Sequence, residues 1–384
     1  MNPYDTWIEV SEPGLAQNLL AVRGLLSPGT RLMAVVKANC YGHGPEAAVI
    51  LARAGIDMMG VTHLREAQQI RQQGVKADIL VFSPLLAEQA PEAMEAGFTL
   101  TAASREDLQI LSALGHKAGR RIPVHLKVDT GMGRLGVLPG ETPAFAQFAD
   151  GLPGIDVRGI YTHFPAATDE NLTDTRLQLD EFTGLLSRLD RLGCRPPIAH
   201  CANSAATLRI PEAHLDMVRV GTLLYGQFPA PFLAGKLQLA ATWRLMTRIV
   251  HVKDVPAGWA VGYGSEQRLS RATRIGVIPV GYADGFGVEV AARSRSTFSD
   301  RARSILKALN GPTGRHVLLE TRQAPVLGRI SMQLTTIDLT EFPDAEIGTL
   351  VEVPCRRVTS SPLLPRVVVR EPRAASRKGT APHA

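Results

Sequence analysis

The sequence predicts a closed barrel of eight βα units followed by a mostly β domain, and three observations carry that prediction. From about residue 30 to 225, short apolar runs alternate with longer segments of helical period, which implies repeated βα units and a parallel sheet. Eight such runs favour closure into a (β/α)8 TIM-type barrel over an open sheet. After about residue 235 the texture changes to strand-like runs divided by Gly and Pro turns, as in an all-β domain.

The expected barrel strands are Leu32 to Val36, Met58 to Val61, Ile79 to Phe82, Phe98 to Thr101, Val124 to Val128, Val157 to Thr162, Pro197 to His200 and Leu215 to Val218. Helix-like stretches between them include Pro45 to Ala54, Leu64 to Gln73, Arg105 to Lys117 and Thr173 to Leu192. In the β domain the expected strands are Thr242 to Val252, Arg274 to Val280, His316 to Glu320, Ala324 to Leu327, Leu334 to Leu339 and Thr349 to Val353. The last residues, 371–384, are small, basic and proline-bearing, and are expected to be disordered.

A chain of 384 residues can hold a large barrel and a second core. With 45% hydrophobic and 20% charged residues it reads as an ordinary soluble globular protein. The net charge of +6 comes mostly from arginines after residue 290, but these are not interleaved with aromatics, which make up only 5% of the chain. Nucleic-acid binding is therefore not expected. Cys40, Cys194, Cys201 and Cys355 are scattered without a CxxC pair, so free thiols in a reducing compartment are expected, and no metal site. The opening residues MNPYDTWIEV lack a basic n-region and an apolar h-region, and no apolar run reaches membrane length. A cytoplasmic protein with no membrane partner is expected.

Barrel enzymes gather their chemistry at the C-terminal ends of the strands, and Lys37, Arg134, His163, Asn203, Ser204 and Arg219 all fall at or just after expected strand ends. In Ala34-Val35-Val36-Lys37-Ala38-Asn39-Cys40-Tyr41-Gly42-His43-Gly44 an apolar run delivers one lysine to a glycine-rich turn. A partly shielded lysine gives up its proton more readily than an exposed one and can form an imine with an aldehyde. Tyr41 follows four residues later, within reach of a phosphate. His200-Cys201-Ala202-Asn203-Ser204-Ala205-Ala206 sets two small polar side chains where a strand passes into a helix, whose first amides suit phosphate. Gly221, beside Thr222, permits close backbone approach. Taken singly, Asn203 reads as an N-cap, Tyr41 as a packed phenol, His163 as a core histidine and Arg219 as a structural arginine. On successive strands beside Lys37 they read together as a phosphate cup.

These motifs resemble those of the alanine racemase family, and the similarity covers nearly the whole chain. It extends through Lys127-Val128-Asp129-Thr130-Gly131-Met132-Gly133-Arg134-Leu135-Gly136, Gly262-Tyr263-Gly264, Gly281-Tyr282-Ala283-Asp284-Gly285 and Gly328-Arg329-Ile330-Ser331-Met332-Gln333. The resemblance implies a pyridoxal 5′-phosphate (PLP) enzyme with a barrel at 9–235 and a β domain at 236–370 joined by residues 1–8. It implies that Lys37 carries the cofactor and works on the D face of the substrate, while Tyr263 works on the L face. Tyr41, Arg134, His163, Asn203, Ser204, Arg219, Gly221 and Thr222 would surround the cofactor, with Arg219 at the ring nitrogen. An arginine there holds its proton, so the ring is a weak electron sink. Arg134 and the Met332 backbone would bind the substrate carboxylate, a carbamylated Lys127 would align Arg134, and His163 would link Tyr263 to Arg219. Asp169, Tyr282 and Arg329 would line the entrance. Because Tyr263 lies in the β domain, a homodimer is implied in which it enters the partner's barrel. The expected activity is L-alanine/D-alanine interconversion, feeding cell-wall peptide synthesis.

Three features depart from the family pattern. Gln333 replaces a common aspartate, residues 287–314 form a longer basic connection, and the stretch 348–366 lacks a tyrosine, with Val351 nearest to it in sequence. A wider pocket would admit serine or larger side chains, since a methylene changes discrimination by only about 1–3 kcal/mol. A broad-specificity racemase is therefore an alternative, as is a non-catalytic PLP carrier, although the latter lacks a β domain. A fold-related PLP decarboxylase would need a carboxylate where Arg219 stands.

Overall fold

The structure, a computed structural model, describes residues 2–289 and 315–371. Two compact units divide the chain: one runs Ser11–Thr242, and the other combines the residues up to Val10 with those from Trp243 onward. The basic connection at 287–314 and the tail at 371–384 lie outside the described residues, apart from 287–289 and Glu371. Among the described residues no helix is long and apolar enough to cross a membrane.

After the N-terminal strand β1 (Thr6–Ser11), eight strands run through the first unit. They are β2 (Arg31–Val35), β3 (Met58–Val61), β4 (Ile79–Val81), β5 (Thr99–Ala102), β6 (Ile122–Lys127), β7 (Ile155–Tyr161), β8 (Ile198–His200) and β9 (Met217–Val220). They pair in the order β8-β7-β6-β5-β4-β3-β2-β9, all in parallel. The two end strands meet as well: Asp216 N–H donates to Ala199 O at 3.2 Å, Arg219 N–H to Ala202 O at 2.9 Å, and Ala199 N–H to Asp216 Oδ2 at 2.8 Å. The barrel is therefore nearly closed, as expected. Every expected barrel strand is present within a residue or two, because strands buried on both faces read as unbroken apolar runs. Arg219 differs in lying inside β9 rather than past its end, since pairing continues through Met33–Arg219 and Ala34–Val220.

The helices of this unit are α1 (Glu12–Arg23), α2 (Lys37–Tyr41), α3 (Pro45–Arg53), α4 (Leu64–Gln72), α5 (Ala90–Glu95), α6 (Arg105–Lys117), α7 (Thr142–Asp150), α8 (Thr173–Arg191) and α9 (Ser204–Arg209). The start of α6 shows how sequence fixes them: Ser104 Oγ accepts the Asp107 N–H at 3.1 Å and Asp107 Oδ2 accepts the Ser104 N–H at 3.0 Å, a reciprocal cap. Inside the barrel Met33, Met58, Leu80, Tyr161 and Met217 pack together, joined by Phe82 and Ile198. Gly60 leaves the room for Phe82, whose ring would lie 2.4 Å from a Cβ there.

The second unit holds β10 (Trp243–Arg248), β11 (His251–Val255), β12 (Ala260–Val261), β13 (Gln267–Arg268), β14 (Thr273–Ile278), β15 (His316–Leu319), β16 (Arg322–Leu327), β17 (Thr335–Asp338), β18 (Leu350–Val353) and β19 (Arg366–Val369). Its main sheet has the order β11-β14-β17-β16-β15-β18-β10-β1-β19, and β1 pairs antiparallel with β10 through Trp7–Met246. The single strand expected over Thr242 to Val252 is two strands. At Ile249 and Val250 the chain changes partners, with Ile249 N–H going to Thr349 O and Val250 N–H to Val277 O, so β10 and β11 pair differently. Hydrophobicity runs through that switch and hides it from periodicity. Val351 is fully buried in this unit, opposite Thr247.

Candidate active site

Past the end of β2 the chain enters α2, a single turn wound left-handed. Ala38, Asn39, Cys40 and Tyr41 have φ values of 52°, 54°, 51° and 53°, and none is glycine. Such a conformation costs L-residues roughly 1–2 kcal/mol each, so the surroundings must hold it. Ala38 N–H donates to Glu66 Oε1 at 2.6 Å. Cys40 is buried, the Tyr41 ring stacks on Tyr225 with centroids 4.8 Å apart, and His43 Nε2 lies 2.8 Å from Thr242 Oγ1. The result is that Lys37 and Tyr41 face one cavity of about 530 Å³ at the C-terminal ends of the strands.

That cavity is lined by four basic side chains, Lys37, Lys127, Arg134 and Arg219, and, among the described residues, by no aspartate or glutamate. The Lys37 side chain is open to solvent in part, yet burial lowers its pKa, the Arg134 charge lowers it further, Glu66 opposes, and Arg219 adds to the lowering. Gly221 N–H donates to Ser204 Oγ at 3.0 Å, which leaves the Ser204 proton free to be donated. The Thr222 hydroxyl is buried and has no hydrogen-bond partner among the described residues. A Cβ at Gly221 would stand 2.4 Å from the Tyr41 oxygen, so only glycine lets that phenol in. Asn203 also lines the cavity, with its carbonyl oxygen and one of its two Nδ2–H donors engaged. Its Oδ1 accepts the Ala205 and Ala206 N–H groups, and its Nδ2–H donates to Phe164 O. The helix amides expected to bind phosphate are thus already capped, because asparagine is a strong N-cap.

Arg219 is 4% exposed and has no ion pair among the described residues. Its Nη1–H donates to His200 Nδ1 at 2.9 Å, and Nη2–H goes to Thr162 O at 2.7 Å, Cys201 O at 3.1 Å and His163 Nδ1 at 3.2 Å. Nε–H is left over, on a side chain that faces the cavity. Burial lowers the arginine pKa to about 10, still cationic at neutral pH. Because a guanidinium only donates, Nδ1 of both His163 and His200 must be unprotonated, and each ring carries its proton on Nε2. His200 then donates to His125 Nδ1 at 2.9 Å. Gly159 makes space for His125, since a Cβ there would come within 2.7 Å of the ring.

Lys127 is 3% exposed, donates to Val128 O at 2.5 Å and lies over the Tyr161 ring. Burial and Arg219 bring its pKa down to about 7, with Asp129 opposing and Arg134 assisting. Burial alone would raise the Asp129 pKa, but the N–H groups of Gly131, Gly133, Arg134 and Met132 hold its carboxyl below the usual range. Those four bonds shape the loop that carries Arg134. The Arg134 guanidinium has no hydrogen-bond partner among the described residues.

In the second unit, Tyr263 is 72% exposed in a short 3-10 turn between Gly262 and Glu266. Arg329 pairs with Glu266 at 2.5 Å, and Gly328 N–H donates to Gln267 Oε1 at 2.5 Å, tying the Tyr263 turn to the loop before Met332. Tyr282 and Ala283 N–H groups donate to Ser331 O and Met332 O, each at 3.0 Å. Tyr263, Tyr282, Arg329 and Met332 thus share adjoining loops. Asp169 is exposed on the loop after β7, where Arg209 bonds its carbonyl. Sequence reasoning missed His125, Tyr161, Glu66, Phe82 and Thr168. Inward-facing strand positions would have flagged the first two, but a cavity-lining threonine on a loop has no sequence signal.

The buried histidines carry a pH prediction. Burial, with Arg158 and Arg219, holds His125 at about 3; burial and Arg219 hold His163 at about 3; and burial and Arg219 hold His200 well below its usual value. Unfolded, each ring takes a proton near pH 6.5. Stability should therefore be full above about pH 6.5 and fall by roughly 1.4 kcal/mol per pH unit per ring as pH drops toward 3. Urea unfolding at pH 7 and pH 5 checks this, and equal midpoints would contradict it.

A βα-barrel with a lysine-bearing, wholly basic cavity at its strand ends, joined to a β domain, is the architecture of a barrel enzyme for anionic substrates or cofactors. Comparison with known proteins narrows the class. The model of the alanine racemase N-terminal domain matches residues 10–229, and that of the C-terminal domain matches residues 242–362. The chain is 35% identical over 364 residues to an alanine racemase of Desulfosudis oleivorans, covering 92% of this chain and 88% of that one. It is 35% identical over 356 residues to one from Methanococcus maripaludis, covering 92% and 90%. The solved alanine racemase of Clostridium difficile superposes with a TM-score of 0.87 at 26% identity, covering 96% of this chain and 97% of that one. One from Bacillus anthracis with bound L-Ala-P does so with a TM-score of 0.82 at 27% identity, covering 96% of each. The chain belongs to the alanine racemase family.

Proposed function

We propose that this chain is a PLP-dependent racemase that interconverts L- and D-alanine as a homodimer. One observation carries the reading: a single cavity collects four basic side chains and the hydroxyls of Tyr41, Ser204 and Thr222, with no acid in its wall. A phosphate-bearing aldehyde fits that donor set. The unpartnered Thr222 hydroxyl, the free Ser204 proton and the phenol admitted by Gly221 suit the phosphate, Arg219 Nε–H suits a ring nitrogen, and the Lys37 amine suits the aldehyde. When bound, the cofactor supplies an electrophilic carbon for the lysine and a ring that draws electrons from the substrate Cα.

The chain's own groups then do three things. Arg134, with an unengaged guanidinium, binds the substrate carboxylate. Lys37, its pKa lowered by its walls, takes or returns the Cα proton on one face. Tyr263 of the partner subunit serves the other face, and the proton on His163 Nε2 would stabilise its oxyanion. Arg219 keeps that imidazole neutral and would keep the ring nitrogen from gaining a proton, so that the ring would be a weak electron sink, negative charge at Cα would be short-lived and transamination would be disfavoured. Loading the protein with PLP and following L-alanine to D-alanine by chiral chromatography tests the proposal; a yellow, loaded dimer that leaves alanine unchanged would sink it.

Two expectations follow from the wall. Gly221→Ala should push out the Tyr41 phenol and weaken PLP binding by about 10- to 100-fold, measured by equilibrium dialysis, and should cost roughly 1–3 kcal/mol of stability as an overpacked site. With its pKa brought down to about 7 by burial and Arg219, the Lys127 amine is able to lose its proton near neutral pH and add carbon dioxide, turning a cation beside Arg134 and Arg219 into an anion that attracts them. A carbamate carbon signal should appear in protein equilibrated with labelled bicarbonate and vanish in Lys127→Ala.

A further inference from the structure

We propose that Glu66 is the positioning residue for Lys37, its carboxylate tying the first amide of the left-handed turn to the end of the neighbouring strand β3. The inference rests on the reading of Lys37 as the cofactor-bearing amine. Glu66 sits in the first turn of α4 and does not line the cavity. Its Oε2 accepts the Thr62 and His63 N–H groups, each at 3.0 Å, which is ordinary helix capping. Capping needs only that oxygen. The other, Oε1, leaves the helix and accepts the Ala38 N–H at 2.6 Å, the residue next to Lys37 and the first in the strained φ range.

The far end of the turn has separate anchors in the Tyr41–Tyr225 stack, the buried Cys40 and the His43–Thr242 bond. The near end has Glu66, and the Cys40 N–H to Val36 O bond at 3.1 Å spans the lysine without fixing Ala38. Three N–H donors converge on one carboxylate, and a glutamine offers a single carbonyl oxygen for them. Its amide nitrogen can only donate, so either the cap or the bridge is lost. An aspartate keeps the charge but is one methylene shorter, too short to cap His63 and still reach Ala38.

This division of labour predicts a split between two ligands. Covalent capture of PLP at Lys37, in which amine and aldehyde condense with loss of one water, needs the lysine in place; 4-deoxypyridoxine 5′-phosphate lacks the aldehyde and needs only the cup and Arg219. In Glu66→Gln, the rate of capture, fixed with borohydride and read by peptide mass, should fall on the order of 10- to 100-fold, while affinity for the deoxy analogue stays at the wild-type value. Where Glu66→Gln does not fold, Glu66→Asp reads the same split. Unchanged capture overturns the proposal, and so does an equal loss for both ligands, which marks Glu66 as structural only. Should the wild-type protein take PLP but show no adduct at Lys37, it is the underlying reading that fails.

Discussion

Lys37→Ala should abolish alanine interconversion, lowering turnover by roughly 10⁴-fold or more, in a protein that still folds. The loss is large because the proposed mechanism gives the amine two tasks: the covalent link to the cofactor, and movement of the Cα proton on one face. Of the other basic groups in the wall, arginine does not give up its proton at neutral pH, and a carbamylated Lys127 would offer no amine. The fold should survive because the Lys37 amine makes no hydrogen bond among the described residues, and because Arg134 and Arg219 both disfavour its charge. Removing one cation from a wall that has no acid relieves repulsion, so the melting temperature should hold or rise. Chiral chromatography and a melting curve on one preparation check both halves, and retained turnover would contradict the assignment.

Tyr263→Phe should cut interconversion about 10²- to 10⁴-fold, the usual contribution of one positioned acid–base group, and the loss should depend on the face. Net turnover must fall equally in both directions, because a catalyst cannot shift the equilibrium. Exchange of the Cα proton with solvent is not so constrained. With the phenol gone, D-alanine should still lose its Cα proton to Lys37 and regain one from solvent, whereas L-alanine should exchange slowly. Tyr263 is 72% exposed and its hydroxyl makes no hydrogen bond among the described residues, so stability should not change. Equal loss of exchange from both enantiomers would remove Tyr263 from its role. Because the side chain would act in the partner's barrel, mixing Tyr263→Phe with Lys37→Ala chains should restore one working site per heterodimer.

Much of this was legible in the sequence, for identifiable reasons. Barrel strands announce themselves as apolar runs, and their ends mark Lys37, Arg134, His163, Ser204 and Arg219; all five line one cavity. Less visible was whatever depends on three-dimensional reach. Asn203 reads in the sequence both as an N-cap and as a ligand-binding group, and the structure shows its Oδ1 capping the helix. The left-handed conformation of Ala38 to Tyr41 has little sequence mark, because only Asn39 among those residues tolerates it readily. Glu66, which holds that turn, reads as a routine helix-start carboxylate until its second oxygen is traced to Ala38. The His200–His125 bond is likewise a meeting of distant strands. The break between β10 and β11 escaped because both sides of it are equally hydrophobic.

The most direct test is to incubate the PLP-loaded protein with L-alanine in deuterium oxide and examine the D-alanine formed by mass spectrometry. Proton removal on one face and delivery on the other predicts solvent deuterium at Cα in nearly every inverted molecule, and no inversion without Lys37. D-alanine that keeps its original hydrogen, or that still forms in Lys37→Ala, would contradict the account.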